Sequence, residues 1–101
     1  MTIGRVIGTV VCTQKTPSLE GVKFQLVQPL CASDMTVQGN PLVAIDAIGA
    51  GPREVVLLAA GSSARQTSQT VNTPCDAVIM AIIDSVEVEG AEVFRKGDAV
   101  S

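Results

Sequence analysis

Leu42-Val43-Ala44-Ile45-Asp46-Ala47-Ile48 runs straight into Gly49-Ala50-Gly51-Pro52, and Glu54-Val55-Val56-Leu57-Leu58-Ala59-Ala60 follows. Two apolar runs of strand length, split by a glycine-proline punctuation, read as two strands joined by a short connection. The second run is continuously apolar, as in a strand buried on both faces. Two glycines flanking an alanine imply either a positive φ or a close backbone approach.

The rest of the chain repeats this pattern. Ile3–Thr13 is β-branched and reads as a long first strand, with Gly4 and Gly8 marking bends or a bulge. Val22–Gln28 begins by alternating apolar with polar, as a half-buried second strand does; Pro29 either ends it or places it at an edge. Cys31–Pro41 is a loop or loose hairpin rich in Ser, Asp, Gly and Asn. Ser62 or Ser63 is placed to cap one short helical turn, and Thr67–Pro74 reads as an exposed loop. Cys75–Ser85 has the length and Ile/Val content of a central strand, although a buried helix fits its periodicity equally. Val86–Glu89 alternates and extends that strand, Gly90 turns the chain, and Ala91–Lys96 returns as the second arm of a C-terminal hairpin. The expected fold is mainly all-β: a small, five-stranded, partly open barrel of the oligonucleotide-binding (OB-like) type, with one short helix and that hairpin, in a single domain spanning 1–101.

Composition narrows the function. The 101 residues are 47% hydrophobic but only 17% charged, against about 25% in an ordinary soluble domain. So few charges leave too little to coat a small monomer, which points to surface hidden against other copies. Phe24 and Phe94 are the only aromatic residues, the net charge is −3, and the seven basic residues are scattered. A barrel binding single-stranded nucleic acid, the rival reading, needs a basic groove and stacking aromatics. No basic leader and no apolar run of membrane-spanning length occurs, so a cytoplasmic, membrane-free protein is expected. There is no histidine, which excludes Ser-His and Cys-His catalysis. Cys12, Cys31 and Cys75 lack any paired spacing, so neither a disulfide framework, a metal site nor a cofactor is expected.

Beyond these physical readings, the ordered segments 8–15, 21–23, 43–51, 54–58, 61–65 and 76–84 resemble the EutN/CcmL family of bacterial microcompartment vertex proteins. The resemblance implies a homopentamer without enzymatic activity. It would sit at the fivefold corners of a carboxysome or metabolosome shell, among hexameric shell proteins. On that footing Gly49, Ala50 and Gly51 are candidates for the loop that crowds the axis, the bland alternative being an ordinary turn. Ser62, Ser63, Arg65, Gln14 and Lys15 are candidates for contacts between subunits, the alternative being solvated loops. Asp46 and Asp84 lie in apolar strands; each either finds a partner among Arg5, Arg53 and Arg65 or points to solvent.

Overall fold

The structure, a computed structural model, describes residues 1–13, 17, 21–60 and 77–97. Five strands, β1 (Thr2–Val10), β2 (Phe24–Leu30), β3 (Leu42–Asp46), β4 (Val55–Ala60) and β5 (Ala77–Ile82), form a closed barrel in the order β1-β2-β3-β5-β4. The expected barrel was partly open. It closes because β1 pairs antiparallel with β4 through Thr2↔Leu58 to Arg5↔Val55, while β3 and β5 meet in a short parallel seam at Ile45↔Val78 and Asp46↔Ile79. The helical turn expected near Ser62 lies outside the described residues.

Each strand begins close to its expected position. The glycines of β1 behave as anticipated: the register slips between Val6 and Gly8, leaving Ile7 as an unpaired bulge residue that re-aims the strand. A methyl on Gly4 would come within 2.5 Å of Val27 Cγ1, so the barrel interior requires glycine there. Pro29 belongs to β2 but stands beyond the last β2–β3 pair, Val27↔Leu42, where its missing N–H costs no β3 ladder bond and its carbonyl accepts from the Gln38 amide at 3.0 Å.

One core fills the interior: Val6, Val27, Ala44, Ala50, Val56, Leu58, Ala77 and Ile79. These come from alternate positions on the strands, as a small barrel demands. A second cluster, Ile45, Ala59 and Val78, lies on the opposite pleat and is joined by Val22, Phe24, Ala47 and Met80.

The expected continuation of β5 through Glu89 does not occur. The strand ends at Ile82, and β6 (Ser85–Val88) pairs with β7 (Ala91–Arg95) as a separate two-stranded sheet. Glu89 and Gly90 both have positive φ, 51° and 81°, which makes the two-residue turn of a tight hairpin. Two strands alone are marginal in water, and this hairpin is tied to the barrel at its base. The Lys96 amide donates to the Asp84 carbonyl at 2.7 Å, Lys96 Nζ pairs with Glu54 Oε2 at 2.9 Å, and the Arg5 guanidinium lies over the Phe94 ring at 6.0 Å.

Candidate assembly site

β3 delivers Asp46 to the mouth of the barrel, where its carboxylate organises the loop that follows. Oδ1 accepts hydrogen bonds from the amides of Ile48 (3.1 Å) and Gly49 (2.8 Å), and Oδ2 accepts one from Ala50 (2.9 Å). Gln25 Nε2, from the adjacent strand, donates to Oδ2 at 3.1 Å and to the Ala50 carbonyl at 3.0 Å; Gln25 Oε1 accepts from the Thr9 hydroxyl at 3.0 Å. Asp46 and Gln25 are both buried, and no buried side-chain polar atom among the described residues is left unpaired. Burial by itself would push the Asp46 carboxyl up. The Gln25 amide and the three loop N–H groups together outweigh it and hold the group below the ordinary carboxylate range.

The loop is therefore a preformed feature of the single chain. Ala50 turns its methyl into the core, where it is 2% exposed, whereas Ile48 and Gly49 face outward, Ile48 at 43%. Gly49 has φ 79° and open space where a Cβ would stand. The Gly51 amide donates to Glu54 Oε1 at 2.6 Å, so Glu54 braces both the loop and the hairpin. The Lys96 hydrogen bond, seconded by the Gly51 amide, lowers the Glu54 carboxyl, and the same pair raises Lys96.

One expectation about this region changes, and another resolves to its solvent alternative. Among the described residues Asp46 has no arginine partner, and it is buried rather than solvated; backbone amides and Gln25 hold it, with Lys23 Nζ at 4.0 Å. Asp84 is exposed at the start of the hairpin. Gln25 does not stand out in the sequence, because the alternation in β2 predicts polar residues that face water. Its signal is that Thr9, Gln25 and Asp46 are each a polar residue set in a strand whose inward neighbours are apolar. Gln14, Lys15, Ser62, Ser63 and Arg65 lie outside the described residues.

Ile7 at the bulge and Val43 on β3 stand on the outer surface of β1-β2-β3, with Leu26 half-buried between these strands and paired to Val43. By contrast, the outward Ile45, Val78 and Ala59 are at most 1% exposed. One flank of the barrel is dry within the chain and another is apolar but wet.

Over residues 1–84 the chain matches the family described as ethanolamine utilisation protein EutN/carboxysome. The chain belongs to the EutN/CcmL family. It is 46% identical to the carboxysome shell vertex protein CcmL of Gloeobacter violaceus, covering 97% of each chain. The solved structure of Gloeobacter violaceus CcmL superposes with a TM-score of 0.90 at 45% identity, covering 97% of this chain and all of that one. The GrpN pentameric microcompartment shell protein from Rhodospirillum rubrum superposes with a TM-score of 0.76 at 43% identity, covering 87% of this chain and 99% of that one. The match to the family stops at residue 84, where the barrel ends and the separate hairpin begins.

Proposed function

We propose that this EutN/CcmL chain closes into a ring of five that caps the fivefold corners of a bacterial microcompartment shell, meeting hexameric shell proteins along its rim. The observation that carries the proposal is the full-length likeness, in sequence and in fold, to chains named as shell vertex proteins and to one solved as a pentamer. The apolar, exposed flank of β1-β2-β3 is what such a ring would cover, since a ring contact needs two different surfaces on each subunit. The role is structural rather than catalytic. The chain has no histidine, and the relatives it resembles over their full length are named as shell vertex proteins.

The Asp46-held loop is placed in this reading at the axis, with Gly49 as its outermost small residue and Ala50 as its anchor in the core. Gln14, Lys15, Ser62, Ser63 and Arg65 remain proposed subunit contacts. Nucleic-acid binding has less to stand on. Phe24 packs on the second cluster and Phe94 lies beneath Arg5, so neither offers a free stacking face.

Gel filtration with light scattering tests the ring. The expected mass is five times the 10.4 kDa chain, with no shift of a labelled oligonucleotide at moderate salt and with capture by sheets of hexameric shell protein. A 10.4 kDa species at every concentration would reject the proposal.

A further inference from the structure

Among the described residues, five basic side chains can be followed: Arg5, Lys23, Arg53, Arg95 and Lys96. Lys96 is engaged by Glu54, Arg95 by Glu92 at 2.8 Å, and Lys23 stands beside Asp46. Among the described residues Arg5 and Arg53 have no carboxylate partner, and both line one cavity of about 300 Å³ together with Val6 and Ile7. Arg5 donates one N–H to the Arg53 backbone carbonyl at 3.2 Å, and its guanidinium lies over the Phe94 ring at 6.0 Å.

Arg53 is also held in an unfavourable backbone conformation. Its φ is 65°, in the left-handed region where glycine is at ease and arginine is not. The conformation is enforced from outside: the Arg53 amide donates to the Val6 carbonyl at 2.8 Å, and the Val6 amide donates to the Glu54 carbonyl at 2.9 Å. A strained position that carries an unpaired cation beside a second cation points to a role for the charge.

The complementary charge is in the same chain. On the hairpin, Glu87 stands directly opposite Glu92, a like-charged cross-strand pair. Arg95 relieves Glu92, but among the described residues no ion pair relieves Glu87. We propose that the Arg5–Arg53 cavity receives the Glu87 carboxylate of the adjoining copy, so that each subunit offers its basic cavity to one neighbour and its acidic hairpin to the next. Such a head-to-tail contact repeats identically and closes a ring. It makes a two-cation, one-carboxylate contact suited to the forked donors of arginine. The inference rests on the ring reading above and names the contact that holds it.

The test measures ring dissociation on dilution, by light scattering, for Arg53→Gly, Arg53→Glu, Glu87→Arg and the double variant Arg53→Glu/Glu87→Arg. Arg53→Gly removes the charge and relieves the backbone, so its circular dichroism should match wild type. Its ring should fall apart at a concentration about tenfold higher or more. It should also lose part of the salt sensitivity of dissociation that the wild-type ring shows. Each single charge reversal should weaken the ring further, and the double variant should recover most of the loss. Single variants that dissociate like wild type, or a double variant no tighter than either single, would overturn the contact while leaving the ring intact. A wild-type chain that never forms a ring would overturn both.

Discussion

Asp46 is the residue on which the loop geometry depends. Its two oxygens collect three backbone N–H groups and the Gln25 amide, and a buried donor left facing no acceptor costs about 1–3 kcal/mol. Asp46→Asn puts an NH2 where an acceptor is required. It should lower stability by roughly that 1–3 kcal/mol in denaturant titration of the whole protein. The pH dependence has a definite sign. The folded carboxyl titrates below its ordinary value, so its stabilisation is complete above about pH 4 and disappears as the pH falls through the folded value. Glu54 acts in the same direction. Stability should therefore be level from pH 7 to about 5 and decline below about 4, with a shallower decline in Asp46→Asn. Little of this residue-level detail was legible beforehand. Asp46 stood out as a carboxylate in an apolar strand, but its partners are backbone amides, which every residue possesses and no side-chain pattern marks. Gln25 was hidden by the same alternation that located its strand. Period two says that two faces differ, and the barrel interior accepted the polar face because Asp46, Thr9 and Ala50 satisfy it.

At the level of elements, the β-branched runs announced all five barrel strands, since they need a pleated, half-buried surface wherever they sit. What they left open is which strands pair. The closing contacts, β1 with β4 and β3 with β5, join strands far apart in the chain. The apolar run of β5 passes through Asp84-Ser85 into the alternating Val86–Glu89 with no glycine or proline between, so no turn signal marks the change from one sheet to the other. That change matters, because the hairpin is a separate sheet held at its base by Lys96, Phe94 and the Asp84 carbonyl. Lys96→Ala should loosen it selectively. Amide hydrogen exchange should quicken across 85–95, while the interior strands exchange as in wild type. Equal acceleration in β1 to β5 would mean that the hairpin and barrel open as one.

For the whole molecule, the proposed ring carries five times −3, or −15, and must hold together against that charge. The axial loop gives a direct way to add to it. Ala50 is unsuitable for the purpose, since a carboxylate there would enter the core and disrupt the chain itself. Ile48 is exposed, so Ile48→Glu should keep the monomer's circular dichroism and raise the concentration at which the ring dissociates, by crowding five new charges around one axis. An unchanged dissociation would take the loop away from the axis. The hairpin has a different consequence. It shares no strand with the barrel and is secured through a handful of side chains. Residues 85–97 can thus drift, lengthen or be grafted from a related chain without repacking a single interior methyl. Choice of neighbour would then be inherited separately from the plug that fills the corner.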